Sequence, residues 1–358
     1  MFTYNWKLED LKKVKPNGFK VFSCFAGGGG SSMGYKMAGY DVIGCNEIDT
    51  RQMEIYKHNL KPKYSYLMDI REFRELEDLP KELFELDILD GSFPCTPFST
   101  SNNSKKDITT VKKFREGQIK QRLDDLAIYT IKLINKLQPK VAILENVSGL
   151  MQEQYSEYVS AIYTEFNKAG YSVTHKLLDM STMGVPQRRK RVFFLAIKND
   201  LKFNKVDLFG DEPLLNLNFN EKEVKYGEIE EKNAKAGVGK VFPKAGYWWE
   251  RTQPGEYFSS ATMREIGKRS YLDYYKTDRD RVLPTITAHT EGGNSYNQDT
   301  KRTLTKKELI KAFTFPSDYD FAKENPKYVT GMSVPPLAMY RISKEIEKQW
   351  LIPNKGIK

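Results

Sequence analysis

The sequence predicts an α/β fold: a parallel sheet with helices between its strands, interrupted by a second, smaller domain. Three observations predict it. Short apolar runs alternate with helical stretches over the first 200 residues; near-continuous apolar runs such as VAIL and VFFLAI read as strands buried on both faces; and the composition changes after Asp200.

The elements follow in chain order. Residues 20–24 (KVFSC) form a first strand that runs into Gly27–Gly30, a helix comes next, and residues 42–45 form a second strand just before Glu47. A third strand precedes Asp69, and 86–89 precedes a proline-flanked cysteine. Leu123, Leu126, Ala127, Leu133, Ile134 and Leu137 keep a helical period, and that helix stops before Pro139. Strands at 141–144, 172–177 and 192–197 complete the sheet.

Beyond it, residues 200–231 carry nine acids against four lysines, while 232–281 carry eleven Lys/Arg against six acids and hold Trp248, Trp249, Tyr257, Tyr271, Tyr274 and Tyr275. Residues 198–298 therefore read as a separate domain, mostly irregular or β, since a structureless loop of that length and aromatic content is rare. A helical pattern returns from Arg302. The expected division is 1–197, 198–298 and 299–358.

Composition narrows the function classes. With 39% hydrophobic and 29% charged residues, the chain can bury a sizeable core. No run approaches the ~20 apolar residues of a membrane span, and MFTYNWKLEDLKK lacks the apolar stretch of a signal peptide, so a cytoplasmic protein is expected. Cys24, Cys45 and Cys95 are too few for a disulfide framework; with His58, His175 and His289 they show no metal-ligand spacing, so no metal is expected. The net charge of +10 favours a polyanion partner, although a basic solvated surface alone gives the same balance.

Five segments carry chemistry. Glycines 27–30 at a strand-to-helix turn let a ligand approach the backbone, and Glu47, about 20 residues on, can accept bonds from ribose hydroxyls. The spacing departs from G-x-G-x-x-G, which turns the reading from a dinucleotide to another nucleoside ligand. Asp69 is either an adenine contact or a solvated loop acid. Cys95, between two prolines at a strand's carboxyl end, has the placement of a nucleophile, whereas Cys24 and Cys45 lie inside apolar runs. Glu145 and Asn146 follow VAIL and emerge at the same sheet edge, where a carboxyl can donate a proton. In PQRRKR, Gln187, Arg189 and Arg191 share one face and Arg188 and Lys190 the other; two arginines on one face can orient a planar base and favour a thiolate.

FAGGGG, NEID, GSFPCTPFS, ENVSGL, PQRRKR, RTLTKKEL and GMSVPP occur in an order that resembles the DNA cytosine-5 methyltransferases, bacterial or phage, over essentially the whole chain except 198–298. The resemblance implies a Rossmann-like S-adenosylmethionine-dependent methyltransferase sheet with an inserted smaller target-recognition domain. It implies S-adenosylmethionine as donor and a cytosine flipped out of double-stranded DNA carrying a specific site. Cys95 would add to C6, Glu145 would bond and protonate N3, Arg189 would hold O2, and Arg191 would support the cysteine loop. Phe25, Gly27, Gly28, Glu47, Ile48, Asp69, Ile70, Pro94 and Ser333 would line the donor site. The C-terminal helix after Pro336 would return to the first domain. A monomer is expected, with a companion restriction endonuclease.

Two departures from the family's pattern stand out. Met332 occupies the place where the family usually has Asn, which bears on donor affinity. Residues 101–122 hold seven Lys/Arg against two acids. They read as a loop closing over flipped DNA, with Lys105, Lys106, Lys112 and Lys113 on phosphates and Ser99 and Gln187 counted among the DNA contacts. An RNA cytosine-5 methyltransferase acting on transfer RNA, or a catalytically weak DNA-binding homologue, are the alternatives.

Overall fold

The computed structural model describes residues 2–94, 125–204, 213–239, 241, 243–269, 274–288 and 295–357. Cys95, Ser99, Lys105, Lys106, Lys112 and Lys113 lie outside these. The chain divides into two compact units, one of residues 14–178, 190–218 and 339–358, the other of residues 1–13, 179–189 and 219–338.

The larger unit is built on strands β1 (Lys20–Cys24), β2 (Asp41–Glu47), β3 (Tyr64–Leu67), β4 (Ile88–Gly91), β5 (Val141–Val147), β6 (Tyr171–Asp179) and, after a two-residue strand β7 (Gln187–Arg188) of the other unit, β8 (Lys190–Lys198). Its sheet order is β3-β2-β1-β4-β5-β8-β6. The pairs β2–β3, β1–β2, β1–β4 and β4–β5 are parallel, whereas β8 runs antiparallel to β5. This corrects the expectation of a parallel sheet. Val192–Ile197 are all fully buried, and an apolar run buried on both faces reads alike in either direction. Where β2 passes β3, a Cβ on Gly44 would sit 2.8 Å from the Tyr64 carbonyl oxygen, so only glycine permits that approach.

Helices α1 (Gly30–Met37), α2 (Thr50–Leu60), α3 (Ile70–Glu75), α4 (Leu126–Leu137) and α5 (Ser156–Lys168) link the strands. Helix α4 buries Leu126, Ile131, Leu133, Ile134 and Leu137 against the sheet and ends on Gln138, whose left-handed φ of 53° precedes Pro139. Residues 339–358 also belong here. The Tyr40 hydroxyl donates to the Ser343 carbonyl at 2.9 Å, and the Trp350 indole donates to that of Leu214 at 3.2 Å.

The smaller unit has short elements: helices α6 (Tyr226–Ile229), α7 (Pro243–Arg251), α8 (Phe258–Ile266), α9 (Lys306–Ala312) and α10 (Pro326–Gly331), and two-residue strands β9 (Tyr275–Lys276), β10 (Leu283–Pro284) and β11 (Ser295–Tyr296). Strand β7 pairs with β10 and β9 with β11. Phe258 and Tyr296 pack with Trp248, Trp249 and Tyr274. Beside them Arg302 and Glu308, both buried, form an ion pair at 2.8 Å, and Glu308 also accepts from the Tyr226 hydroxyl and the backbone N–H groups of Glu231 and Thr305. The division differs from the expected one. Residues 198–218 stay with the sheet, 179–189 leave it, and 299–338 do not return to it. The aromatic segment holds helices α7 and α8 within otherwise mostly irregular chain, as expected for this region. A final helix, α11 (Pro336–Ile346), carries the chain back into the larger unit. Among the described residues, no helix is long and apolar enough to cross a membrane.

Candidate active site

Strands β1 to β5 run parallel, so their carboxyl ends share one edge, where open α/β sheets bind ligands. At the end of β1 the chain turns sharply: Phe25, Gly27 and Gly29 have φ of 53°, 48° and 78°. Gly29 caps α1, and a Cβ there would come within 2.4 Å of Leu60, whereas a Cβ on Gly27 would meet nothing within 4 Å. Gly27 is thus required by its backbone conformation, with open space before it.

Glu47, at the end of β2, holds this turn. Its carboxylate accepts from the N–H groups of Gly27, Ile48 and Asp49, each at 2.8 Å. Burial pushes its pKa up, and these backbone bonds oppose the rise. Asn46 beside it donates to the carbonyls of Tyr66 and Met68 at 3.1 and 2.9 Å, tying β2 to the segment that leads to Asp69. Asp69 is neither solvated nor idle: it caps α3 through the Arg71 N–H at 2.8 Å and pairs with the Arg71 guanidinium at 2.9 Å. Ile70 is buried behind it. A glycine turn with free space in front, flanked by a carboxylate with lone pairs to spare, fits a nucleoside-bearing ligand.

At the end of β5, Glu145 is 8% exposed and pairs with Arg191 of β8, Nε to Oε1, at 3.1 Å. Its neighbour Asn146, 1% exposed, donates to the Phe93 carbonyl at 3.0 Å. That bond pins the backbone next to Pro94, the last described residue before Cys95. Cys24 and Cys45 are buried, and burial raises both thiols, Cys45 to about 12, so neither is a nucleophile.

Sequence reasoning missed Asp90. It is 1% exposed in β4 and accepts from the Ser23 hydroxyl at 3.1 Å and the Tyr35 hydroxyl at 3.2 Å. Burial pushes it up to about 7, Ser23 and Tyr35 pull against that, and the charge of Glu145 adds to it. The available signal was an acid inside the apolar run LDIL-DG, where a buried strand has no solvent for a carboxylate.

The smaller unit uses its share of PQRRKR differently. The alternation holds, with Gln187 and Arg189 buried and Arg188 and Lys190 exposed. Gln187 donates to the Ala312 carbonyl at 2.8 Å and accepts from the Ile286 N–H at 3.2 Å, so both ends of its amide are occupied by backbone. Arg189, 3% exposed, donates to the carbonyls of Ile286, Gly331 and Ser333 at 3.2, 2.9 and 3.2 Å and stacks on Phe313. Within the larger unit, Arg191 is paired with the Glu145 carboxylate. Ser333 is buried with its hydroxyl on the Val329 carbonyl at 2.8 Å. Met332, between the two carbonyls that Arg189 holds, is 49% exposed.

Comparison with known proteins follows the same lines. A family model described as C-5 cytosine-specific DNA methylase matches residues 19–348. The Type II methyltransferase M.FnuDI of Fusobacterium nucleatum is 34% identical over 185 residues, 52% of this chain and 48% of that relative, so this match spans about half of its length. M.Bsp6I of Bacillus sp. (strain RFL6), another Type II methyltransferase, is 26% identical over 348 residues, 93% of this chain and 99% of the relative. Among solved structures, the S. pombe Dnmt2 methyltransferase superposes with a TM-score of 0.61 at 17% identity, covering 92% of this chain and 98% of that one. The Entamoeba histolytica methyltransferase EhMeth gives 0.56 at 16% identity, covering 92% and 98%. These two share the fold.

Proposed function

We propose a mechanism for a chain that belongs to the C-5 cytosine-specific DNA methylase family and is by that membership a DNA (cytosine-5-)-methyltransferase: methyl transfer to C5 of a cytosine flipped from a specific duplex site, through a covalent adduct of Cys95 at C6. S-adenosylmethionine, held by the Phe25–Gly28 turn, Glu47, Ile48, Asp69, Ile70 and Pro94, supplies the electrophilic methyl group.

The chemistry asks for these groups. Cytosine C5 is a weak nucleophile, and a target inside the stack must first be extruded, at a few kcal/mol. Addition of the Cys95 thiolate to C6 pushes electron density to C5, and a proton shared by Glu145 with N3 stabilises the negative charge that develops there. Once C5 carries the methyl group, loss of its proton and expulsion of Cys95 restore the ring. Arg191 keeps the Glu145 carboxylate oriented and takes the cytosine O2 contact that the resemblance gives to Arg189, whose guanidinium is engaged by the carbonyls of Ile286, Gly331 and Ser333. Lys105, Lys106, Lys112 and Lys113 bind phosphate, and the smaller unit reads the target sequence. The Type II relatives favour a companion restriction endonuclease and a bacterial or phage-infected cytoplasm.

One observation carries the reading: the buried Glu145–Arg191 pair stands beside Asn146, whose bond to Phe93 pins the backbone two residues before Cys95. Incubation of the full chain with methyl-labelled S-adenosylmethionine and either duplex DNA or transfer RNA tests it. Label in 5-methylcytosine of the duplex is expected. Label in transfer RNA alone would reassign the substrate, and label in neither would leave a DNA-binding homologue.

A further inference from the structure

The registers of the larger sheet place Ser23 opposite Asp90, Asp90 opposite Ile143, and Glu145 opposite Phe193. Residues two apart share a face, so Ser23, Asp90, Glu145 and Arg191 all point to one side. Helix α1 covers Asp90 on that side. Its Tyr35 hydroxyl bonds the Asp90 carboxylate, as does that of Ser23 from the strand that leads into the glycine turn. A single buried carboxylate on β4 therefore joins the strand before the turn to the helix after it.

We propose that Asp90 is an ionisable positioning residue of the donor site, whose negative charge favours the cationic sulfonium of S-adenosylmethionine over the neutral thioether of S-adenosylhomocysteine. The inference rests on the donor reading above. Hydroxyls donating to the carboxylate from β1 and α1 hold the two elements together best when Asp90 is ionised. A cation arriving in the site favours that form, so donor binding expels a proton from Asp90. Methyl transfer removes the positive charge from the ligand while the carboxylate remains, which favours exchange of product for fresh donor.

The titratable groups that Asp90 interacts with are Tyr35 on α1, Glu145 on β5, paired with Arg191 on β8, and, from the other face of β1, the Cys24 thiol. Cys24 and Tyr35 are raised well above their usual ranges by burial and stay neutral. Burial holds Asp90 near 7.

The test is calorimetric titration of each ligand into the full chain, in two buffers of different ionisation enthalpy, from pH 6 to 8. The two ligands carry the same amino acid and nucleoside, so proton exchange by those parts, and by Glu47, largely cancels in the comparison. Wild type should release more protons with S-adenosylmethionine than with S-adenosylhomocysteine, the excess reaching up to about half a proton per ligand near pH 7. Its preference for the donor should grow several-fold between pH 6 and 8. In Asp90→Asn both ligands should still bind, with the excess and the pH dependence lost. Tyr35→Phe removes one bond to the carboxylate and should move the maximum of the excess to higher pH; this variant carries the test if Asp90→Asn does not fold. Equal proton release with the two ligands in wild type, or an unchanged excess in Asp90→Asn, would overturn the proposal. Failure of either ligand to bind wild type would instead refute the donor reading on which it rests.

Discussion

The two units bury charge for different ends. In the larger unit, Glu145, Arg191 and Asp90 are bound to side chains at or near the carboxyl edge of a sheet. In the smaller unit, Arg189 is bound to three backbone carbonyls, and Glu308 to Arg302, Tyr226 and two backbone N–H groups. The difference shows how two arginines two residues apart can do unlike work. A guanidinium that holds backbone fixes a fold, and one that faces a carboxylate can pass its orientation to a substrate. The contrast predicts that substitutions at Glu145 and Arg191 change rate or ligand affinity more than stability, and those in the second set do the reverse.

The largest effect is expected at Glu145. Glu145→Gln should lower the methyl-transfer rate by roughly 10²–10⁴-fold, the range of a general acid, while the melting temperature changes little. A variant that unfolds, or that turns over normally, would break the contrast. Next comes Glu308→Gln, which leaves Arg302 buried without its counter-charge and should cost about 3–5 kcal/mol, read as a large fall in the denaturation midpoint and as accelerated proteolysis between residues 219 and 338. The arginines sharpen this pair. Arg191→Lys should slow turnover at near-normal stability, whereas Arg189→Lys, losing a planar fork on three carbonyls, should destabilise the smaller unit. Measuring rate and melting midpoint on both variants separates the roles.

Asp90 is expected to show itself in the pH dependence of stability. Burial holds its folded-state pKa near 7, above the ordinary carboxylate range, so the folded chain binds more protons than the unfolded one between about 4 and 7. The stability this contributes is greatest at acid pH and is lost as pH rises through 7. Asp90→Asn should therefore gain on wild type between pH 5 and pH 8, by up to about 2–3 kcal/mol, since the unfolded carboxyl is ionised across that window and the folded one ionises near 7. A difference independent of pH in urea titrations would contradict the burial reading.

The smallest effect concerns Met332, half exposed between the carbonyls that Arg189 holds. If Met332 bears on donor affinity as the resemblance implies, Met332→Asn supplies one polar contact, worth ~0.5–1.5 kcal/mol, and should tighten S-adenosylmethionine binding roughly two- to tenfold. Weaker binding in a direct titration would mean that the turn is packed around methionine.

Much of the larger unit could be read from apolar runs and turn residues, because strands buried on both faces leave a strong signal and the sheet edge follows from strand direction. What escaped has physical reasons. The antiparallel course of β8 leaves no mark on VFFLAI. Asp90 reads like its neighbour Asp87, and only the structure shows that hydroxyls from β1 and α1 bond it. Gln187 and Arg189 were placed on the correct face, but their partners Ala312, Gly331 and Ser333 lie more than a hundred residues on, out of reach of any local pattern. The nucleophile was inferred from its proline-flanked setting and family motif alone, since Cys95 lies outside the described residues.

The central claim, catalysis through a covalent bond from Cys95 to cytosine C6, is tested most directly by trapping that bond. Duplex DNA carrying 5-fluorocytosine at the methylated cytosine cannot release the Cys95 adduct once C5 is methylated, because fluorine does not leave as a proton does. With S-adenosylmethionine, wild type should form a complex that survives denaturing electrophoresis, and Cys95→Ala should form none while still binding the duplex. A complex of undiminished yield in Cys95→Ala would contradict the account.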